Sequence, residues 1–535
     1  MKKLIFAASA LALASMSAIA ANPYLPLWEH IPDGEPYVFD DPDQPGRQRV
    51  YIYGSHDSRI TDYCGRELVV WSASVDSLDN WRYDGVIFEN NRDANGNLLF
   101  NDGRGDVLFA PDVAVTTDKS GKKTYYLYPN NQEGGRNGMV AKSDRPDGPF
   151  RVCNWSKANP KETDGVLRFD PAVFVDDDGR VYGYWGFEKS YAAEFDPKTM
   201  ATVRPGKKVI EDMVASIGSD PDSPFRFFEA SSMRKIEDKY VFVYSRWTGE
   251  GEFGMPRSNY TLAYAYSDNP LGPWTYGGTL IDGRGRETLP DGKVVATATP
   301  SGNTHGSLCQ INGKWYVFYH RQAGLNEFSR QAMVAPVEVT VQRGKGGKVT
   351  ITEGEYTSEG FETGGLDLFR TYPAAIACYF TGPEPAVHSW PEVQYSGPYF
   401  QATYYDGDPA SAPSDLQLRS MPVVNNTAGS TLGYKYYDFT PLMGNSTMKI
   451  KLGLTPRGVD GNIDIYVGGP DAARGGKKVG SVHVLKGEAL QPTVKTALLK
   501  GLEGFTGKQP VFLVFTSATP ATSICDLHSI AFTRH

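Results

Sequence analysis

Five times in the first 340 residues a short segment leads into a strand, and an aromatic-rich strand answers it. The leading segments are GEPYVF (34–39), FAPDV (109–113), FDPAVF (169–174), FFEASS (227–232) and THGSL (304–308). The answering strands are YIYGS (51–55), YYLYP (125–129), YGYWGF (182–187), YVFVYS (240–245) and WYVFYH (315–320). From Glu35 through Ala110, Asp170 and Glu229 to His305 the intervals are 75, 60, 59 and 76 residues. A repeat of that length, each copy a small antiparallel sheet, is the mark of a β-propeller. Hairpin grammar recurs inside the copies, as in VDDDGRVYGYWGF (175–187), and AKSDRPDGPF (141–150) is echoed by AYSDNPLGPW (265–274). If equivalent strands line one channel, three carboxylates distant in sequence, Glu35, Asp170 and Glu229, meet at its mouth.

The chain opens MKKLIFAASALALASMSAIA, a basic start, an apolar run and a small-x-small end at Ala18-Ile19-Ala20. That pattern predicts a secretory signal peptide over residues 1–20, too short to span a membrane, and export to the periplasm or beyond of a bacterium. A net charge of −8 without a basic stripe argues against nucleic acid or an anionic membrane as partner. The five cysteines are scattered without metal-ligand spacing. Buried thiols are the expected state, with a Cys378–Cys525 bridge as the alternative. Beyond the repeat (21–345) and a Gly-rich connector (346–365), residues 366–535 change character. Strands such as MKIKLGL (448–454), GNIDIYVGG (461–469) and PVFLVFTS (510–517) predict a jelly-roll-like β-sandwich. The expected fold is therefore all-β, a five-bladed propeller followed by a sandwich.

Glycosidic hydrolysis needs an acid to protonate the leaving oxygen and a second carboxylate as nucleophile or water activator. A third negative charge helps keep the acid protonated, because like charges resist joint ionisation. Glu229, behind Phe227 and Phe228, suits the acid; Asp170 is placed to tune it; Glu35 is the candidate base. Taken singly, an Asp before Pro is a turn former and a Glu among aromatics is a half-exposed strand residue. Their equivalent positions in three repeats are what point to a site. There is no G-x-S-x-G elbow, H-E-x-x-H, Walker loop or Rossmann fingerprint.

FDPAVFVDDDG (169–179), FEASSMRKIEDKYVFVYS (228–245), FAPDV (109–113), NTHGSLCQINGKWYVFYHR (303–321) and SRQAMVAPVEV (329–339) resemble the blade motifs of glycoside hydrolase family 43. The resemblance covers roughly 25–340. It implies an inverting five-bladed propeller enzyme, with Asp170 as the pKa modulator, Glu229 as the general acid and Arg330 against the sugar. His305 lies in the axial channel on this reading, where the family holds water or a structural calcium; no cofactor is required. The family's base is an Asp before Pro, whereas this chain has Glu35-Pro36, so the base is Glu35 or another carboxylate such as Asp57. His56 and Asp57 are expected at the pocket rim, with Arg246 and Trp247 on the substrate side. The C-terminal region resembles, more loosely, a family 6-type carbohydrate-binding module. The motif variants LWEHIPDGEPYVF (27–39) and YGSHD (53–57) resemble the furanosidases of the family. They imply exo-release of terminal α-L-arabinofuranose or β-D-galactofuranose from a polysaccharide or oligosaccharide. A β-D-xylosidase or exo-galactanase, or a non-catalytic sugar-binding propeller, are the alternatives.

Overall fold

Contiguous runs such as Val50-Tyr51-Ile52-Tyr53 and Val241-Phe242-Val243-Tyr244 are apolar at every position, the pattern of strands covered on both faces. In the computed structural model, which describes residues 21–59, 61–132, 134–402 and 421–535, these runs are the inner strands of successive sheets. Sheet one is β1 (Glu35–Asp40), β2 (Gln48–Tyr53), β3 (Glu67–Ser74) and β4 (Trp81–Glu89). Sheet two is β5 (Asp112–Thr117), β6 (Lys123–Tyr128), β7 (Ala141–Ser143) and β8 (Arg151–Val152). Sheet three is β9 (Ala172–Val175), β10 (Val181–Trp185), β11 (Tyr191–Phe195) and β12 (Ile210–Glu211). Sheet four is β13 (Phe227–Ile236), β14 (Lys239–Arg246), β15 (Thr261–Ser267) and β16 (Thr275–Asp282). After a hairpin, β17 (Arg286–Thr288) and β18 (Val294–Ala296), sheet five is β19 (Ser307–Ile311), β20 (Lys314–Gln322) and β21 (Arg330–Val337).

Side chains alternate across each strand, so each blade serves two neighbours. Tyr51 and Tyr53 pack toward blade two with Val113 and Leu127, while Val50 and Ile52 pack toward blade five with Ile311 and Phe318. Phe242 and Tyr244 face Tyr182 and Tyr184 of blade three; Val241 and Val243 face Leu308 and Val317 of blade five. Ala114 and Tyr128 meet Val173 and Phe195 between blades two and three. Five apolar layers thus close a ring.

Polar ties stitch the innermost strands around the axis. The Tyr37 hydroxyl donates to Asp112 Oδ1 (2.6 Å), and Asp112 Oδ2 accepts from Val173 N (2.6 Å). Asp170 Oδ2 accepts from Ala230 N (3.2 Å), Ser232 and Ser307 share a hydroxyl bond (2.6 Å), and Arg234 Nε donates to Leu308 O (2.8 Å). Blade five has three strands, and the start of the chain completes it. Tyr24 N donates to Ala332 O, while Asn22 Nδ2 donates to Val334 O (2.7 Å) and Asn22 Oδ1 accepts from Val334 N (3.1 Å).

Past β21 a short hairpin, β22 (Val339–Val341) and β23 (Val349–Ile351), precedes an extended stretch. Two six-stranded sheets, built from Leu366 to Arg534, then face each other as a sandwich. Ile450, Leu452, Ile463, Ile465, Leu513 and Phe515 fill its interior. Buried Arg321 anchors it to blade five: its guanidinium donates to Ala375 O (2.6 Å) and Ala377 O (2.9 Å) and stacks on Phe400. All five cysteines are free thiols, so Cys378 and Cys525 lie unbridged in the core. Among the described residues no helix is long and apolar enough to cross a membrane. The leader expected at 1–20 lies outside the described residues.

Because Asn22 satisfies both main-chain groups of Val334, Asn22→Ala leaves buried polar groups unpaired at a cost of about 1–3 kcal/mol. Calorimetry is expected to show a lower Tm for the variant; an unchanged Tm means that the closure rests on main-chain pairing alone.

Candidate active site

Glu229 sits on β13 where the pairing with β14 slips on both sides of it, and Ala230 takes φ +69°. Such a bulge re-aims a side chain; here Glu229 turns into a cavity of about 1320 Å³ at the end of the propeller axis. Asp170 (φ +48°) just before β9 and Asp33 (φ +60°) just before β1 line the same cavity. Left-handed backbone in a non-glycine residue is costly and is retained where surrounding structure imposes it. At all three strand starts that strain accompanies a carboxylate directed into one space.

Their environments differ. Burial, then the negative charges of Asp170 and Asp33, pushes the Glu229 carboxyl well above its ordinary range. Both effects favour its protonated form. Burial also presses on Asp33, but the Arg330 charge, with His305 and the Ser55 hydroxyl, outweighs it, and Asp33 lies below the usual carboxylate value. Asp33 Oδ1 accepts from Arg330 Nη1 (3.0 Å) and Oδ2 from Ser55 Oγ (2.5 Å). His320 Nδ1 accepts from Asp33 N (3.3 Å), and burial lowers its pKa to about 3, leaving it a neutral support. Asp170 accepts from Asn130 Nδ2 (3.0 Å), with His305 Nδ1 3.6 Å from its other oxygen. Burial alone would lower His305; the bond and charge of Asp170 raise it instead. Two carboxyls facing one cavity with pKa values pushed in opposite directions is the pairing that acid–base cleavage requires.

Asp170, Glu229, Trp247, His305 and Arg330 line the cavity as expected from sequence. Glu35 does not. It is buried below the mouth, where Oε2 accepts from Arg234 Nη2 (2.7 Å). The first strand runs nearer the mouth than its Glu-Pro suggests. Pro32-Asp33-Gly34 continues beside Gly54, where any Cβ would stand 2.3 Å from Pro32 O. Asp33 thereby occupies the level expected for Glu35. His56 and Asp57 are buried away from the rim. His56 lies between Glu29 and Glu67, each 3.2 Å away. Asp57 grips Arg330 with two bonds of 2.9 Å, fixing the guanidinium that also holds Asp33. Arg246 is tied to Glu252 (2.8 Å) and Pro224 O (2.8 Å) and stacks on Tyr276, a structural role in blade four. Calcium takes about 6–8 oxygen ligands, water included, and the side-chain donors in the channel are few. His305 Nε2 and Glu35 Oε1 are buried without a hydrogen-bond partner, but Arg234 already supplies a cation at Glu35. Among the described residues no group of three or more His, Cys, Asp or Glu gathers there.

Aromatic side chains supply much of the remaining lining. Phe169, Phe187, Phe228 and Trp247 form an aromatic wall, with Phe228 against Trp247 at 5.1 Å and against Phe187 at 5.1 Å. Tyr63 and Glu327 approach from blades one and five. The sandwich contributes Tyr379 through Val387, His388, Trp390, Tyr395 and Arg474. Asp33, in an Asp-Gly two residues before the Glu-Pro, carried no signal of its own in the repeat. The sandwich contribution had no local signal.

Residues 39–342 match the model of the glycosyl hydrolases family 43, so the sandwich lies outside the match. A xylosidase/arabinosidase of Thermoclostridium stercorarium is 34% identical over 458 residues, 82% of this chain and 86% of its own. An arabinoxylan arabinofuranohydrolase of Paenibacillus polymyxa is 30% identical over 326 residues, 56% of this chain and 46% of its own. A solved arabinoxylan arabinofuranohydrolase from Bacillus subtilis, in complex with cellotetraose, aligns with 97% of this chain and 98% of its own at 22% identity and a TM-score of 0.44. The chain belongs to glycosyl hydrolase family 43.

His56 generates a pH-dependent prediction. Burial would lower its pKa, but Glu29 and Glu67 raise it to about 10. A raised folded pKa contributes stability that is full below the unfolded value of about 6.5 and is lost as pH rises toward the folded one. The Tm gap between the wild type and His56→Gln should therefore be widest near pH 6 and shrink toward pH 10. A pH-independent gap contradicts the charged assignment.

Proposed function

We propose that this enzyme is an exo-acting, inverting glycosidase that removes terminal furanosyl units, α-L-arabinofuranose or β-D-galactofuranose, from polysaccharide side chains. The observation that carries the reading is that Glu229, pushed toward its protonated form, shares one cavity with Asp33, which is held toward its ionised form. Glu229 protonates the leaving oxygen as that bond breaks, and Asp33 takes a proton from a water attacking the anomeric carbon from the opposite face. Asp170 is a positioning residue that keeps the acid protonated through its charge. Arg330, held by Asp57, keeps Asp33 ionised and offers a guanidinium edge to the bound sugar. The furanosyl assignment rests on the motif resemblance and on relatives named as arabinosidases and arabinofuranohydrolases. A β-xylosidase is the second reading, supported by the first relative's double name. The leader pattern supports action outside the cytoplasm.

The test uses aryl α-L-arabinofuranoside, β-D-galactofuranoside and β-D-xyloside. Replacing the acid or base costs about 10²–10⁴-fold in rate, so Glu229→Gln and Asp33→Asn should each lose that much kcat on the preferred furanoside. Glu35→Gln should retain activity of the wild-type order, and NMR should show the inverted anomer forming first. The reverse ranking of Asp33 and Glu35 overturns the base assignment. Glycan binding without hydrolysis overturns the catalytic reading, and preference for the xyloside overturns the furanosyl one.

The pH profile supplies a separate check. Activity requires Asp33 ionised and Glu229 protonated, so kcat/KM should fall below Asp33's depressed pKa and again above Glu229's raised one. Asp170→Asn removes a like charge and is expected to move the alkaline limb to lower pH. An unmoved alkaline limb contradicts the role given to Asp170.

A further inference from the structure

Among the parts of the sandwich that line the active-site cavity is a small hairpin, Val387–Ser389 and Glu392–Gln394, joined by the two residues Trp390 and Pro391. This hairpin is fastened along its length to the loop between β20 and β21. Val393 N donates to Leu325 O (2.9 Å), Glu327 N donates to Pro391 O (3.0 Å), and Asn326 bridges to Glu392. Buried Glu327 clamps it a second time, accepting from His388 Nε2 on one oxygen and from the Tyr63 hydroxyl on the other (2.5 Å). Tyr63 also lies under Arg330, 5.0 Å from ring to guanidinium. A chain of contacts therefore runs from His388 of the hairpin through Glu327, Tyr63 and Arg330 to Asp33.

At the tip of this pinned turn Trp390 lines the cavity with 69% of its surface exposed. Isolated exposed apolar residues are common on protein surfaces. This one is held on a two-residue turn, at the rim of a cavity whose floor carries Asp33, Asp170, Glu229 and His305. The space, about 1320 Å³, exceeds the roughly 300–1,000 Å³ of ordinary small-ligand pockets. It has room for sugar rings beyond the one at the floor. With the cleaved unit seated among the carboxylates, whatever lies at the rim belongs to the leaving group.

We propose that the sandwich completes the substrate site, with Trp390 as the stacking platform for a pyranose ring of the leaving-group saccharide. This deepens the proposed function and rests on it for the direction of the substrate. An aromatic side chain loses little conformational freedom on binding and offers a broad apolar face with a polar edge. Trp390, largely exposed on its turn and lining the cavity, offers such a surface to the C–H face of a sugar ring.

The test compares the full-length wild type, Trp390→Ala and Trp390→Phe on two substrates. One is an aryl α-L-arabinofuranoside; the other is a xylo-oligosaccharide bearing one arabinofuranosyl branch. The ratio of kcat/KM, branched over aryl, should fall at least tenfold in Trp390→Ala, mostly through KM, and recover largely in Trp390→Phe. A ratio unchanged within twofold, or equal losses on both substrates, overturns the proposal. Should the wild type cleave neither substrate, the proposed function has failed. The platform is then read by calorimetric titration with unbranched xylotetraose. A Kd at least tenfold weaker for Trp390→Ala supports it, and equal Kd values overturn it. Thermal unfolding of each variant accompanies both arms, and loss of fold in Trp390→Ala transfers both comparisons to Trp390→Phe, where a twofold or larger change of ratio or Kd decides for the platform and none decides against it.

Discussion

Two buried guanidinium groups sort the carboxylates of this propeller, and the rest of the site depends on that sorting. Arg330, extending from the first residue of β21, holds Asp33 and Asp57 at once. Arg234, five residues beyond Glu229 on β13, reaches down the channel to Glu35 and over the Tyr37 ring. Removing either cation would leave buried negative charge uncompensated, one of the most costly changes available to a folded chain. With the cations committed to those partners, Glu229 is buried facing Asp170 and Asp33, and its carboxyl is pushed toward the protonated form. The division of labour between acid and base therefore follows from where two arginines point.

The ring closure makes that arrangement reproducible. Each blade is apolar on both faces, so no blade can be satisfied without a neighbour on either side. Asn22 and Tyr24 close the fifth gap from the other end of the domain. The strained starts at Asp33 and Asp170 and the bulge at Glu229 are tolerated because each abuts a strand locked into this ring. Rigidity of that kind matters to a reaction that depends on placement within about 1 Å.

The repeats were legible in the sequence because a strand buried on both faces writes an uninterrupted apolar run, and because a four-stranded unit fixes its own spacing. Glu229 and Asp170 were legible as the charged starts of such units. Asp33 was not, because Glu35-Pro36 mimics the Asp-Pro of blade three, whereas the residue that lines the cavity stands two positions before the strand begins. What decides between them is Arg234, which comes from about 200 residues away and gives no local sign. His56 and Asp57 were misplaced for the same reason: their partners Glu29, Glu67 and Arg330 become neighbours only after folding. The sandwich's entry into the cavity is the extreme case, since a domain boundary in sequence says nothing about which loop crosses it.

The central claim is that Glu229 is protonated and Asp33 ionised in the same cavity at neutral pH. Difference infrared spectroscopy of the wild type against Glu229→Gln and against Asp33→Asn reads both states directly. The account predicts that at pH 7 a protonated carboxyl stretch disappears with Glu229→Gln, whereas Asp33→Asn removes a carboxylate band. A carboxylate band lost with Glu229→Gln, or a protonated band lost with Asp33→Asn, would contradict it.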